Sequence, residues 1–511
     1  MMKKQIMLCL ALLSLMLLSG CSGYQNGFMD YGPKDRGEYI ESETYDEIIE
    51  NDYIRTSDMP VSTFSTDVDT ASYSNIRRLL NEGVLPSKNA VRIEEMINYF
   101  SYEFEGPSDD EDLRIYKEIG EAPWNKDHQL LMVGLKTTPL TFNQTVAMNL
   151  VFLIDVSGSM SSYDKLPLLK EALKTLVENL RDKDKLSIVV YAGSAGVVLE
   201  GGDISDVSAI HKAIDRLEAG GSTAGGQGIE LAYKVAKRQF IVGGNNRIII
   251  ASDGDFNVGI SNPDELKELV SKEKDSGVFL SVLGFGTGNY RDDMMESIAQ
   301  NGNGVYYYID TIKEAEKVLV YELGATMNTV AKDVKIQIEF NPSLIKGYRL
   351  IGYENRRLNN EDFNDDDKDA GDLGSGHVVV AFYELVPISS QTNITEKSFD
   401  ETLELKYDGT NYEHEISTIS LRYKHKDSDV SLKIESIVTL EDQKTTNTKD
   451  FLFATSVVEF GLLLRNSAYK GTASYDAVIA RAENALSSDP FGYQKEFIEL
   501  VQQAKRLSLR D

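Results

Sequence analysis

Short apolar runs alternate with amphipathic segments through the middle of the chain, between residues 147 and 328. Runs that are rich in Val, Ile and Leu and bounded by polar residues are typical of strands buried on both faces of a parallel sheet. They predict strands at 148–154, 185–191, 246–252, 278–285 and 304–309, with a shorter edge strand near 196–200. The segments between them predict helices near 166–180, 205–217, 226–240, 263–275, 291–300 and 311–326. This alternation predicts a doubly wound, mostly parallel α/β sheet.

The apolar period changes to two beyond residue 332, where Val334, Ile336, Ile338 and Phe340 alternate with polar residues. Similar alternation recurs near 347–354, 377–386, 401–407, 414–423 and 430–440. Several strands in succession without long helices favour an antiparallel β-sandwich over residues 329–447. Helical spacing returns in residues 448–511, with segments near 452–464, 474–487 and 491–507.

Ahead of the central domain, residues 61–146 predict a smaller region with two helices and two strands. Ile93, Met96, Ile97 and Phe100 follow the i, i+3, i+4, i+7 spacing of one helix face. The strands are expected at 113–116 and 129–135. If these strands join the later sandwich, the domain at 147–328 is an insertion within it. The fold class is therefore multidomain, with an α/β domain, a β-sandwich and a helical end.

The first 20 residues have the features of a targeting segment. Lys3 and Lys4 precede an apolar stretch that ends in Leu18-Ser19-Gly20-Cys21, which resembles a bacterial lipobox. That resemblance implies that Cys21 is lipidated and becomes the first mature residue. The alternatives are an ordinary secretory signal cut near Gly20 and a membrane span. The span is disfavoured because the apolar run is too short to cross a bilayer. Residues 21–60 lack sustained apolar periodicity and predict a flexible tether.

Composition excludes several classes of function. A formal net charge of −28 argues against nucleic acid, whose phosphates require Lys and Arg. Cys9 and Cys21 are the only cysteines, so the mature chain would keep no free thiol for a disulfide. The loop at 220–228 lacks the Gly-Lys-Ser/Thr ending of a P-loop, and Asn289 replaces the last glycine of a dinucleotide fingerprint. We therefore expect no nucleotide and no enzyme activity.

Oxygen-bearing side chains follow the apolar strands at two places. Asp155, Ser157 and Ser159 come directly after the first strand, and Asp253 ends the strand at 246–252. In a doubly wound sheet these two strands are neighbours about 5 Å apart, and ligands bind at their carboxyl ends. Thr223 lies in a glycine-rich loop that precedes a helix starting at the same edge. Carboxylate and hydroxyl oxygens suit a hard cation such as Mg²⁺.

This constellation resembles the metal-ion-dependent adhesion site of the von Willebrand factor type A domain, over residues 147–328. The resemblance implies that Ser157, Ser159 and Thr223 coordinate the cation through hydroxyls. Asp155 and Asp253 would hold bound waters or coordinate directly. The cation is expected to be Mg²⁺, with Mn²⁺ and Ca²⁺ as alternatives. Neutral hydroxyls leave much of its charge uncompensated, so a carboxylate from a partner protein can fill an open position.

The flanking regions at 61–146 and 448–511 resemble those that accompany this domain in bacterial lipoproteins. The resemblance implies an adhesion or binding protein of the cell envelope, anchored to a membrane by lipid and facing the periplasm or the exterior. A structural or assembly component of the envelope, with a metal site that only stabilises the fold, is the alternative.

One acidic run outside this site, residues 362–369, invites a Ca²⁺ interpretation. Counted from Asp362, the sixth and twelfth positions of an EF-hand loop would hold Asp367 and Leu373 rather than glycine and glutamate. A solvated acidic loop is the favoured interpretation, and an irregular Ca²⁺ site is the alternative.

Overall fold

A computed structural model describes residues 43–66, 68–108, 111–140, 145–220, 228–254, 263–288, 290–322, 328–399, 404–408 and 412–510. The predicted signal segment and Cys21 lie outside these residues. Across the described ranges, every helix is too short or too polar to cross a bilayer.

The amino-terminal region contributes four strands and two helices. They are β1 (Ile54–Arg55), β2 (Val61–Ser65), α1 (Ala71–Asn81), α2 (Ile93–Asn98), β3 (Leu113–Ala122) and β4 (Asn125–Thr137). Both predicted helices are present, and the predicted strands extend into a long hairpin because β3 pairs with β4 along most of its length.

The prediction of a flexible tether is wrong for residues 43–60. Glu43 is buried and forms an ion pair with Arg78 at 2.8 Å. Asn51 is also buried, and its side-chain amide donates to the carbonyl oxygen of Gly352 at 2.8 Å. These contacts reach far along the chain, so local periodicity could not reveal them.

The central domain holds six strands with helices between them. In chain order its elements are β5 (Met148–Asp155), α3 (Leu166–Val177), β6 (Lys185–Tyr191), β7 (Ala195–Gly202), α4 (Val207–Asp215), α5 (Gly228–Arg238), β8 (Asn245–Ser252), α6 (Pro263–Lys274), β9 (Val278–Phe285), α7 (Asp292–Asn301), β10 (Tyr306–Ile309) and α8 (Ile312–Glu316), which a π-helical segment (Lys317–Glu322) follows. The sheet order is β10-β9-β8-β5-β6-β7, and only β7 runs antiparallel to its neighbour. The predicted doubly wound, mostly parallel sheet is confirmed.

Strands after the central domain form two antiparallel sheets together with strands that precede it. The later strands are β11 (Thr329–Phe340), β12 (Ile345–Ile351), β13 (Arg357–Leu358), β14 (Gly371–Gly374), β15 (Val378–Pro387), β16 (Glu415–His425) and β17 (Ser431–Thr439). One sheet has the order β1-β12-β15-β4-β3, and the other has the order β13-β2-β11-β16-β17 with β14 beside β11. Side chains from both sheets share one hydrophobic cluster. The α/β domain is thus inserted between partners of the same sheets.

Three helices end the chain: α9 (Lys449–Leu464), α10 (Tyr475–Ala485) and α11 (Tyr493–Ser508). With α1 and α2 they bury a second cluster against the outer face of the β4–β15 sheet, where Met132 and Phe382 meet Phe451 and Phe497. The strand predicted at 401–407 is not seen in its described part, since residues 404–408 have no strand structure.

Candidate functional site

The two predicted carboxylates lie at the same edge of the central sheet. Strand β5 ends at Asp155, and Asp253 follows the last residue of β8. The two strands pair in parallel with Ile154 opposite Ala251, so both chains leave the sheet side by side. The strand adjacency that the sequence predicts is therefore present.

Asp155 is fully buried at this edge. Its carboxylate accepts a hydrogen bond from the backbone N–H of Ser157 at 2.8 Å and a longer one from the hydroxyl of Ser252 at 3.4 Å. Burial raises the pKa of Asp155 to about 6, the hydrogen bonds from Ser157 oppose this rise, and the charge of Asp253 adds to it. All of these donors are neutral, so a cation bound beside Asp155 would remove an electrostatic cost.

Ser157 and Ser159 lie on the turn that follows Asp155. A 3₁₀ turn at Gly158–Ser161 holds them together, and their hydroxyl oxygens are 2.9 Å apart. Neighbouring ligands of an octahedral Mg²⁺ ion lie about 3.0 Å apart, because each is about 2.1 Å from the metal. Ser157 is buried while Ser159 is exposed, so the pair opens to solvent on the side of Ser159.

Sequence reasoning missed Lys165. Its ammonium lies 2.8 Å from a carboxylate oxygen of Asp253, and both side chains are buried. Gly286 leaves room for the Lys165 side chain, because a Cβ at this position would overlap that side chain. The φ of Gly286 is +69°, which also favours glycine. The only local signal was a lysine at the start of an amphipathic helix, and nothing in that pattern points to a partner 88 residues away.

Thr223 lies outside the described residues, but both ends of its loop are anchored at this edge. Before the loop, the N–H of Gly220 donates to the carbonyl oxygen of Val156 at 2.8 Å. After it, α5 begins at Gly228, where an added Cβ would lie 2.9 Å from the Cβ of Tyr191 at the end of β6. Gly220 and Gly228, the described residues on either side of this loop, therefore both contact the strand ends near Asp155.

The residues present fit a divalent cation. A buried carboxylate, a second one nearby and two hydroxyls at octahedral spacing form a hard-oxygen donor set. Nowhere in the described part of the chain, this edge included, does a group of three or more His, Cys, Asp or Glu side chains lie in a position to hold a metal. A metal bound at this edge would therefore need oxygen ligands besides the two carboxylates, and the serine hydroxyls can supply them.

The acidic loop at 362–369 uses its carboxylates in other contacts. Asp366 accepts from Arg422 at 2.9 Å, Asp369 from Lys274 at 2.8 Å, and Asp362 forms a capping box with Asn359. These contacts agree with the interpretation of an acidic surface loop, because the carboxylates named here bind cationic side chains or backbone N–H groups.

Three known families match consecutive parts of the chain. The family described as von Willebrand factor matches residues 39–132, and von Willebrand factor type A domain matches residues 149–319. The family described as Uncharacterized protein YfbK, C-terminal, matches residues 325–507. The chain is 42% identical to Uncharacterized protein YfbK of Escherichia coli (strain K12) over 469 residues, which are 90% of this chain and 80% of that protein.

Two solved structures are similar to this chain at low identity. A von Willebrand factor type A protein from Catenulispora acidiphila is 17% identical and covers 76% of this chain and 88% of its own, with a TM-score of 0.41. Proximal thread matrix protein 1 from the mussel byssus, with a zinc-occupied MIDAS motif, is 24% identical and covers 35% of this chain and 46% of its own, with a TM-score of 0.30.

Proposed function

Because the chain belongs to the YfbK family of proteins with a von Willebrand factor type A domain, we propose that it binds a partner protein through a metal-ion-dependent adhesion site. Domains of this type commonly mediate protein–protein interactions. In this proposal Asp155, Ser157, Ser159, Thr223 and Asp253 hold a divalent cation, Mg²⁺ before Mn²⁺ or Ca²⁺. The partner supplies a carboxylate, and the chain itself performs no catalysis.

The spacing of the two serine hydroxyls is the observation that carries this proposal. At 2.9 Å apart, beside a buried Asp155, they are placed as two neutral ligands of one hard cation. Neutral ligands do not cancel the charge of the ion, and a bound cation is the largest local charge in such a site. When bound, the ion supplies a Lewis-acidic position to which an acidic side chain of a partner can be attached.

The surroundings of Ser159 suit contact with a partner. Tyr163 follows on the same segment and is 88% exposed, and aromatic side chains are common anchors of protein interfaces. A shallow groove beside the turn is lined by apolar residues such as Met160 and Pro167 and by charged residues such as Lys170 and Lys174. A peptide segment could lie in this groove while its carboxylate reaches the cation.

An acidic chain also benefits from a metal bridge. The formal net charge of −28 repels other acidic proteins at long range, and a cation gives one place where a carboxylate is attracted. We place this binding outside the cytoplasm, with Cys21 as a lipid anchor in a bacterial envelope membrane.

Affinity capture from bacterial envelope extract tests the proposal. The native chain in Mg²⁺ should retain a protein that is released by excess EDTA, and Asp155→Ala should retain none. Asp182→Ala provides the matched control, because Asp182 is an exposed acid in the turn before β6, at the opposite edge of the sheet. Capture that persists undiminished in EDTA contradicts the proposal.

The same variants separate binding from a purely structural metal site. If the ion serves only the fold, Mg²⁺ raises the melting temperature of the native chain but not of Asp155→Ala, and no protein is retained by either. Retention that depends on Mg²⁺ excludes this alternative.

A further inference from the structure

A cavity of about 230 Å³ lies at the opposite end of strand β8 from Asp253. Arg247 enters its lining from the start of β8, six residues before Asp253, which corresponds to about 20 Å along a strand. Asn303 and Val305 line it from the α/β domain, whereas Asp372 and His377 line it from the antiparallel sheets. The cavity is thus at the junction between the two parts of the molecule and is separate from the metal site.

Arg247 is buried in an unusual way for an arginine. Its side chain is 4% exposed, and its guanidinium donates one hydrogen bond, from Nη1 to the hydroxyl of Ser281 at 2.7 Å. Its Nε is buried and has no hydrogen-bond partner. Burial lowers the pKa of Arg247 to about 10, and the electrostatic influence of Tyr307 and then of Asp372 only partly opposes this. A buried cation without a contacting anion carries a large desolvation cost.

Each of the three carboxylates around the cavity has a hydrogen-bond partner other than Arg247. Asp69 accepts from Arg356 at 3.0 Å, and Asp369 accepts from Lys274 at 2.8 Å. Asp372 accepts from the side-chain amide of Asn303 at 3.0 Å and from the N–H of Asp333 at 3.1 Å, both neutral donors. The described lining contains four cationic side chains (Arg247, Arg356, Arg357 and Lys368) against three carboxylates. Such a balance is notable in a chain with a net charge of −28.

We propose that this cavity binds a small oxyanion whose negative charge faces the guanidinium of Arg247. A guanidinium matches a carboxylate, phosphate or sulfate through paired N–H donors. Arg247 lines the cavity, and among the described residues its guanidinium donates only to the hydroxyl of Ser281 and contacts no carboxylate. The volume admits a few water-sized groups and is below that of pockets for drug-sized ligands. The ligand is therefore an inorganic oxyanion or a short carboxylic acid. Because it contacts both parts of the molecule, it would strengthen their association.

Calorimetric titration of the full chain in EDTA tests this site without any contribution from a metal. The probes are phosphate, sulfate, acetate and succinate at constant ionic strength in NaCl, which separates tetrahedral oxyanions from carboxylates. We expect one anion of at least one class to bind per chain, and Arg247→Met to weaken it at least tenfold. Arg238→Met, an exposed arginine paired with Glu200 on another face, removes the same charge and should bind as the native chain does. No binding of any of the four probes, or equal binding by Arg247→Met, overturns the proposal.

Two further variants keep the test decisive if Arg247→Met does not fold. Asp372→Asn removes a negative charge that faces the cavity and should tighten anion binding several-fold. Lys368→Gln removes an exposed cation at its rim and should weaken binding two- to threefold, as expected for a screened charge. Unchanged or weaker binding by Asp372→Asn would overturn the proposal, because an anion in this cavity must sense that carboxylate.

Discussion

The ammonium of Lys165 lies 2.8 Å from a carboxylate oxygen of Asp253, at the edge of the sheet where the metal site is expected. Both groups are buried. A cation of the protein itself therefore neutralises part of the negative charge that would attract Mg²⁺. The metal and the lysine compete for the same carboxylate, or the lysine moves to a different oxygen when the metal binds.

Lys165→Met should raise the affinity for Mg²⁺ roughly tenfold, because the competing ammonium is lost. Without metal, the variant should lose about 3 kcal/mol of unfolding free energy, as expected when one partner of a buried ion pair is removed. Urea unfolding in EDTA and calorimetric titration with Mg²⁺ measure the two effects. Lys174→Met on the same helix removes an exposed pair with Asp215 and should change neither. If Lys165→Met binds Mg²⁺ more weakly, competition is contradicted, and Lys165 instead holds Asp253 in position for the metal.

Tyr163→Ala should weaken capture of the partner without changing Mg²⁺ affinity. Its ring is 88% exposed four residues after Ser159 and is not one of the proposed metal ligands, so its effect is confined to the interface. The expected loss is about 1–2 kcal/mol of binding free energy, or roughly 5- to 30-fold. Val242→Ala is the control, because Val242 is 92% exposed near the start of β8 at the other edge. An equal loss in both variants would contradict a contact at this edge.

Arg77→Met should be strongly destabilising. The guanidinium of Arg77 on α1 contacts Asp310 and Glu314 of the α/β domain at 2.5 and 2.7 Å and Glu496 of α11 at 3.0 Å. Without the guanidinium, the buried carboxylates lose their shared cationic partner. The expected loss of unfolding free energy is about 3–5 kcal/mol. Chemical denaturation measures the change, and Arg238→Met should stay within about 1 kcal/mol of the native chain. A small effect of Arg77→Met would show that this cluster does not hold the three regions together.

Stability should also depend on the titration of Asp372. Burial raises the pKa of Asp372 from 3.8 to about 6, so the folded chain favours its protonated form. The stabilisation is fully present below pH 4 and is lost as the pH rises to 6 and above, by on the order of 2 kcal/mol, since the side chain keeps some contact with solvent. Asp372→Asn should therefore gain stability relative to the native chain between pH 4 and pH 7, in buffers without phosphate or sulfate. A constant difference over that range would contradict the assignment.

The sequence predicts the central domain well because its strands are buried on both faces. The run at 185–191 coincides with β6, and the run at 278–285 coincides with β9. Predominantly apolar runs of this kind are typical of strands buried on both faces of a parallel sheet. The same reasoning places Asp155 and Asp253 side by side, since the strand order follows from the doubly wound connection.

Features that depend on distant partners were not predictable in this way. Residues 43–60 have no periodicity of their own and are ordered by contacts such as Glu43 with Arg78. Lys165 looks like an ordinary helix residue until the fold brings Asp253 beside it. The alternating segment at 401–407 predicts a strand, but alternation alone does not supply a neighbouring strand with open hydrogen-bonding groups.

The central claim is that one divalent cation binds among Asp155, Ser157, Ser159 and Asp253, with a ligand position open to a partner. Anomalous diffraction from crystals soaked in Mn²⁺ tests it most directly. We predict a single peak within about 2.0–2.6 Å of the hydroxyl oxygens of Ser157 and Ser159, with a water or a neighbouring carboxylate at the outward position. A Mn²⁺ peak elsewhere, with these oxygens unligated at saturating metal, would contradict the account.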